Sequence, residues 1–589
     1  VNPYRLLPFL TLSLGLIGCG FFGTNSEDSK AIDLNLEPYK RLTNSPWNSL
    51  WSTENSIQVS MPSIPASLNP FWNVTTSGLA IQGQIHGCLW KTNPLSGLPE
   101  PDLVTNVQFT TKAPGTVQLC ISQHRYFENG SNSTLCKAAD VAFSLKAFAL
   151  PGFAHPAYEN ALEFIQELSI LNDSTVRIRF SGSDSACIQN LCDLPILRES
   201  EWDPQFALRT FTWTGKNGPN LEQTGLKSTE NISSPGKGLG HYALDLFQPS
   251  QQVRLSKHGK NGSKSGPDTL NYVWLGDATG LENHLKYQRA DVFSYLTHQD
   301  YRSFTANPDI AQHYHLTAIQ TETLNFLAFN TRPEETKAHP ILADRQVRLA
   351  ISQLTPIETI LKKVFELPAQ PMSIMGHLGP GQAYAKPAHS YTLHQGKASL
   401  GKLGWKDSDA NGILDKTTEG KKVELKLRII YNSTSRVSED LVAVLEAEWL
   451  KCGIGIEKQG VAAAAFFDAI QNRSYDIVLS SFSGKSSAAH IKEIWHSENW
   501  TNGGHNYTGF GNDSSDAWLE RMASSSSIAQ RRECLLKLQD LILQESPWIP
   551  LYFSQRYVAT HKRWHNLVVL ASPPGFFIGN ARLGIQTSP

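Results

Sequence analysis

The sequence has no excess of charge of either sign: 52 lysines and arginines stand against 53 aspartates and glutamates. Such balance gives no global field to draw in a nucleic acid or an anionic membrane, and no basic run interleaved with aromatics offers a local one. Compact catalytic signatures are missing too. There is no Gly-x-Ser-x-Gly elbow, no His-Glu-x-x-His pair and no complete Gly-rich phosphate loop, so nothing marks a hydrolase, a zinc protease or a nucleotide-binding protein. A triad assembled from distant residues leaves no such trace. Neither a Cys-x-x-Cys pair nor a Cys/His cluster at zinc spacing occurs, which argues against metal binding through cysteine. The apolar segment from Leu6 to Ile17 falls short of the roughly 20 residues that a permanent membrane span needs.

That segment follows a single early cation, Arg5, and ends in Leu16-Ile17-Gly18-Cys19. The layout is that of an export signal. The tetrapeptide resembles the bacterial lipobox, in which the cysteine is lipidated; a plain secretory signal with an incidental cysteine is the alternative. Residues 1–18 are then a lipoprotein signal peptide and residues 19–45, polar as far as Asn44, a lipidated tether. With Cys19 set aside, seven of the eight cysteines remain, so at least one thiol lacks an intrachain partner. Export permits disulfides, and Cys120 with Cys136 and Cys187 with Cys192 are the local candidates.

At 589 residues the chain exceeds what one hydrophobic core supports, so at least two lobes are expected. The clearest pattern runs from Asp344 to Gly484. Asp344 is a candidate N-cap for a helix whose Val347, Ala350, Ile351 and Leu354 share one face. Thr355-Pro356-Ile357-Glu358 reads as a capping box that restarts a helix with Ile357, Ile360, Leu361 and Val364 inward. Val423, Leu425, Leu427 and Ile429 alternate with charged residues as in a half-buried strand. An amphipathic helix with Leu441, Leu445 and Trp449 follows and Gly453 ends it; then come a strand at Ile454 and Ile456, a short helix with Phe466, Phe467 and Ile470, and an apolar strand from Tyr475 to Phe482. Strands separated by helices imply a parallel sheet with a ligand crevice at the carboxyl ends of its strands, where Ser481 to Lys485 lie.

Asp407, Asp409, Asn411, Gly412 and Asp415 follow the front half of an EF-hand loop, but its twelfth position is Thr418 instead of glutamate. Calcium and an ion-free turn both remain open. His505 with Asn506 and Tyr507 could line a pocket, while Trp47, Trp51 and Trp90 read as core or lobe-surface aromatics.

From about Ile57 to about Ala559 the chain resembles the bacterial extracellular solute-binding proteins of family 5, the oligopeptide and dipeptide class that serves ABC transporters. The resemblance rests on Ser67-Leu68-Asn69-Pro70, Gly87-Cys88-Leu89-Trp90, the run Gly97 to Val104, and Lys137 to Ser144, its most specific motif in the N-terminal half. Pro235 to Tyr242, Ala290-Asp291-Val292, Phe326 to Asn330, Asp344 to Ala350, Gly404-Trp405 through Asp415, Trp495-His496-Ser497 and Pro547 to Leu551 follow in order.

The resemblance implies an α/β fold: a two-lobe periplasmic-binding-protein-like clamp (type II, cluster C) with an extra subdomain on lobe one. Lobe one is placed at 46–85, 200–325 and 550–589, the extra subdomain at 86–199 and lobe two at 326–549. It implies a monomeric lipoprotein, exported and anchored to the cell envelope, that captures short peptides and passes them to ABC permease and ATPase subunits, with no catalysis and no cofactor. One half of the ligand grip corresponds to Asn69, Trp72, Thr75 and Thr76, the other to Ser481, Phe482, Ser483, Gly484 and Lys485. Peptide binders of the family place an aspartate for the ligand's ammonium where Lys485 stands, and no acid occurs between Asp476 and Glu493. Three readings stay open: a displaced loop, an acidic or otherwise anionic cargo such as a cell-wall peptide or metal chelate, and Lys485 as a solvated surface residue. A sensor or adhesion lipoprotein retaining the clamp is the alternative from another functional class.

Overall fold

The computed structural model describes residues 55–583 apart from 95–97, 111–114, 128–132, 151–161, 182–186, 212–225, 276–279, 366–387, 389–391, 484–487 and some single residues and pairs. The described residues divide into two units, with boundaries between Ile319 and Gln320 and between Ser554 and Gln555. Two long strands, Tyr314–Phe329 and Trp548–His561, carry the chain from the first unit into the second and back. No helix among the described residues is long and apolar enough to cross a membrane.

In the first unit a sheet runs in the order Tyr242–Gln248, Gln252–Lys257, Thr269–Val273, Ser56–Ser60, Val292–Leu296 and Trp548–His561. Ser56–Ser60 lies between two parallel neighbours and its Ile57 and Val59 are wholly buried, as a strand covered on both faces requires. Asp291, immediately before Val292, accepts a forked pair of bonds from Arg563 at 2.6 and 2.7 Å and the backbone N–H of Gln58 at 2.8 Å. One carboxylate thereby fastens three distant segments.

A second layer of this unit packs the helix Ala138–Phe148 against a four-stranded antiparallel sheet ordered Val104–Phe109, Thr116–Ile121, Thr175–Phe180, Ile165–Asn172. Val176, Ile178 and Phe180 face the core while Arg177 and Arg179 are exposed, the period-2 alternation of a one-sided sheet. The Lys137 to Ser144 motif owes its form to Asp140. Its carboxylate accepts the Lys137 N–H at 2.8 Å and the Glu199 N–H at 2.9 Å, capping the helix and tying it to the next turn.

The disulfides expected from sequence do not form: none of Cys120, Cys136, Cys187 and Cys192 is disulfide-bonded, nor is Cys88, Cys452 or Cys534. Cys120 lies on a sheet strand and accepts the Thr175 hydroxyl at 3.8 Å, whereas the Cys136 thiol turns to the Lys137 carbonyl at 3.9 Å and that of Cys192 to the Ile188 carbonyl at 3.4 Å. Proximity in sequence is not proximity of sulfurs.

The second unit centres on Lys426–Asn432, flanked by Gly455–Val461 and Ile477–Ser483, both parallel to it; Tyr314–Phe329 then pairs antiparallel with Ile477–Ser483. Helices Arg436–Leu450 and Ala463–Gln471 make the crossovers, burying Leu441, Leu445 and Trp449 and then Phe466 and Ile470. Gly453, at φ +81°, ends the first of these where a Cβ would strike Leu414. Asp344 caps Arg345–Gln353 as expected, accepting the Gln346 N–H at 2.8 Å.

Two local expectations are corrected. Thr355 caps nothing: it is wholly buried and its hydroxyl turns back to the Ile351 carbonyl at 2.9 Å, so the next helix starts uncapped at Ile357–Ile360. The alternating run around Val423 is two strands, because Leu425 N–H bonds the Leu414 carbonyl and Lys421–Glu424 folds against Asp415–Thr418 before Lys426–Asn432 joins the main sheet.

Candidate functional site

The residues named from sequence fall in both units. In the first, the turn after Leu68 is organised by Asn69. Its amide nitrogen donates to the Thr229 and Ile232 carbonyls at 2.8 and 2.9 Å, and its amide oxygen accepts the Phe71 N–H at 2.9 Å. Asn69 is wholly buried and all of its polar atoms are committed within the protein, so it shapes the loop and does not offer a group to a solute. Trp72 is half-buried against the core of this unit, with its indole N–H donating to the Thr229 hydroxyl at 3.4 Å. Thr75 caps the helix Thr76–Ile85, accepting the Gly78 N–H at 3.1 Å, and donates its own proton to Asn73 at 2.8 Å. Thr75 and Thr76 are exposed.

In the second unit Ser481 and Phe482 close the strand Ile477–Ser483, at the carboxyl edge shared by its parallel neighbours. Phe482 is half-buried; its ring stacks on Trp548 at 5.9 Å and 3° and leans on Phe326 at 5.5 Å, and Trp548 meets Trp495 edge-on at 4.7 Å. The aromatic cluster fixes this strand end. Ser481 pairs in register with Asn325, whose amide donates to the Ser554 hydroxyl at 2.8 Å. Asn325 and Ser554 went unread in the sequence, since only strand register brings Asn325 beside Ser481 and Ser554 beside Asn325. Ser483 ends the strand opposite Thr323. Gly484 and Lys485 lie outside the described residues, as do Cys19, the 1–45 leader and tether, Trp47 and Trp51.

The acid nearest in sequence to this edge is structural. Asp476 is buried and accepts the backbone N–H groups of His339 at 2.8 Å and Arg428 at 2.7 Å. Asn330 likewise is wholly buried, donating to the Arg473 and Tyr475 carbonyls at 3.1 and 3.2 Å.

The Asp407, Asp409 and Asp415 carboxylates do converge, yet the protein supplies their partners. Asp407 accepts the N–H groups of Asn411 and Gly412, Asp415 accepts Ser408 at its backbone and hydroxyl, and the Lys422 ammonium pairs with Asp409 and, at 3.5 Å, Asp415. The bond from Lys422 holds Asp409 below the usual carboxylate range, and the bonds from Ser408 do the same for Asp415. His505 Nδ1 pairs with the Glu493 carboxylate at 2.7 Å. A concavity of about 330 Å³ on the outer face of the four-stranded sheet, lined by Thr116, Gln118, Glu167, Arg177 and Arg179, contains none of the residues singled out from sequence.

Residues 99–501 match the model of the bacterial extracellular solute-binding proteins, family 5. The chain is 24% identical over 341 residues to the oligopeptide-binding protein AppA of Bacillus subtilis (strain 168), covering 55% of this chain and 57% of AppA, little more than half of that relative's length. In structure it matches AppA from Bacillus subtilis in complex with a nonapeptide, with a TM-score of 0.65 and 18% identity over 90% of this chain and 99% of that one. NikA from Brucella suis in complex with Fe(III)-EDTA matches at a TM-score of 0.71 and 14% identity, over 90% and 100% of the two chains. NikZ from Campylobacter jejuni in complex with Ni(L-His) matches at 0.64 and 17%, over 87% and 95%. At these identities the structures speak for the fold, an α/β fold of the two-lobe binding-protein type, and the family model covers more than half of the chain. The protein belongs to the bacterial extracellular solute-binding proteins of family 5, which are binding proteins and not enzymes.

Proposed function

We propose that this protein is the receptor of an ABC importer, that its cargo is a short peptide, and that it hands this cargo to permease and ATPase subunits. The observation that carries the reading is the match to family 5 over residues 99–501, joined to a fold shared with a relative whose structure holds a nonapeptide. The grip is assigned to Trp72, Thr75 and Thr76 in the first unit and to the Ser481–Lys485 stretch in the second. A strand end such as Ser481-Phe482-Ser483 suits main-chain pairing with an extended peptide, and the aromatic cluster behind Phe482 supplies a rigid wall. Export and lipid anchoring rest on Leu16-Ile17-Gly18-Cys19.

A second reading, an acidic or chelated cargo in the same transport role, is favoured by one specific feature. Asp476 is committed to two backbone N–H groups and no further acid precedes Glu493, so the segment from Ile477 to Lys492 brings no carboxylate for a peptide's ammonium.

Thermal-shift screening of the purified full chain separates the two. Short peptides with free amino termini, their N-acetylated forms, anionic cell-wall fragments and nickel chelates are the probes. The peptide reading expects stabilisation by peptides; stabilisation by the anionic fragments or chelates alone replaces it with the second reading, and no stabilisation by any class defeats both.

A further inference from the structure

Three arginines are buried among the described residues: Arg348, Arg473 and Arg556. Two are saturated. Arg348 donates to the carbonyls of Leu342, Ala343 and Glu545 at 2.6–3.0 Å and to the Glu545 carboxylate at 3.1 Å. Arg473 donates to the carbonyls of Ile470, Asn499, Trp500 and Gly504 at 2.7–3.4 Å. A cage of carbonyls is how a fold retains a guanidinium for its own structure.

Arg556 has no such cage. It is 6% exposed, on the first-unit part of Trp548–His561, and its side chain makes no hydrogen bond, ion pair or ring contact among the described residues. Its Nε is shut off from solvent without a partner. Burial alone pushes it down to about 10; Arg348 reaches the same value with Glu545 acting in opposition. Room for the guanidinium comes from Gly575, which sits at φ +95°. A Cβ there would lie 2.8 Å from Arg556 Cδ, 2.9 Å from its Nη1 and 3.4 Å from the Ser294 Cβ. Ser294, 8% exposed as a residue, makes no hydrogen bond among the described residues either. Two donors without acceptors thus stand side by side over a glycine. An uncompensated buried cation costs several kcal/mol, and an apolar side chain of similar volume would remove that cost.

We infer that Arg556, with Ser294 beside it, binds a carboxylate of the captured solute. The planar fork of a guanidinium receives both oxygens of a carboxylate side by side, and a serine hydroxyl adds a third donor. The inference rests on the solute-binding reading and deepens it: with a peptide as cargo, the carboxylate is the C-terminus.

The test compares the full-length protein with its Arg556→Met, Arg556→Lys and Ser294→Ala variants, by calorimetric titration and thermal melting. Probes are short peptides as free acids and as C-terminal amides, with citrate as a carboxylate that is not a peptide. Free acids should bind about 30-fold or more tightly than amides, as a bidentate charge-assisted pair implies. Arg556→Met should abolish that preference and at the same time raise the unliganded melting temperature by about 2 °C or more, because it removes a charge without a counter-ion. Arg556→Lys should keep part of the preference and Ser294→Ala should weaken acids several-fold.

If Arg556→Met instead melts lower and leaves the acid-to-amide ratio intact, Arg556 is a structural residue and the inference fails. Equal binding of acids and amides by the parent protein defeats the inference and leaves the peptide reading standing. Binding of citrate but of no peptide, lost in Arg556→Met, upholds the carboxylate site and defeats the peptide reading. No stabilisation by any carboxylate overturns both.

Discussion

Replacing Arg348 by methionine tests whether the second unit depends on a buried guanidinium in the way its geometry implies. Arg348 reaches from the helix Arg345–Gln353 to the carbonyls of Leu342 and Ala343, at the end of the turn Pro340–Ala343, and to that of Glu545, the last residue of the helix Ile528–Glu545. Carbonyls at such ends have no onward helical donor. Methionine fills most of the volume but leaves all three short of a donor, at about 1 kcal/mol each. The Glu545 carboxylate also loses a partner, but its side chain is 39% exposed and water replaces the bond. The expected loss is therefore ~3 kcal/mol, read as a lower urea midpoint at unchanged slope. Arg345→Ala is the internal control. Arg345 pairs with the same Glu545 at 3.4 Å from a side chain that is 55% exposed, so its removal should cost under about 0.5 kcal/mol. If the two variants lose the same amount, the carbonyl contacts do not stabilise the fold and the distinction drawn between Arg348 and Arg556 falls with them.

The remaining predictions concern a buried histidine, the aromatic wall and the acidic turn. His86 is buried with neither ring nitrogen hydrogen-bonded among the described residues, and burial, with Lys91 second, pushes it down to about 3. The fold keeps it neutral while the unfolded chain takes a proton below about 6.5, so its contribution is present above that pH and is lost as pH falls toward 3. Between pH 7 and pH 4, His86→Leu should lose ~3 kcal/mol less than the parent in urea titrations, and parallel pH profiles would contradict this. Phe482→Ala removes the ring stacked on Trp548 and should cost about 2–3 kcal/mol in the same assay; a loss below about 0.5 kcal/mol would mean that the cluster does not hold the strand end. Because Lys422 already pairs with both Asp409 and Asp415, neither calcium nor EDTA should move the melting temperature; a rise of more than about 2 °C with calcium would show that the ion displaces the lysine.

What could be read from the sequence was what local periodicity records. The face of Val347, Ala350, Ile351 and Leu354, the stop at Gly453 and the parallel strands of the second unit were legible because each depends on neighbours a few residues away. Thr355 was not, since a wholly buried hydroxyl turns to the nearest carbonyl whatever its capping propensity. Nor was the break at Leu425, which a bond to Leu414 imposes. In the candidate site, Asn69 was legible as part of a motif but not as a loop clamp, and the pairing of Ser481 with Asn325 follows from register alone. Arg556 carried a weak signal that passed unread, the one arginine or lysine in a strand that also holds Tyr552, Phe553, Tyr557, Val558 and Ala559.

The way the two long strands thread the chain also sets a schedule for its synthesis. Residues 320–554 are contiguous and can close their core once they have emerged. The first unit cannot: Val292–Leu296 finds its antiparallel neighbour only in Trp548–His561, and Asp291 waits for Arg563. Until that last stretch arrives, a nearly complete sheet stands with one edge unpaired, a template for mispairing during synthesis. A chain interrupted after Ser554 would thus release a finished second unit beside an unfinished first one.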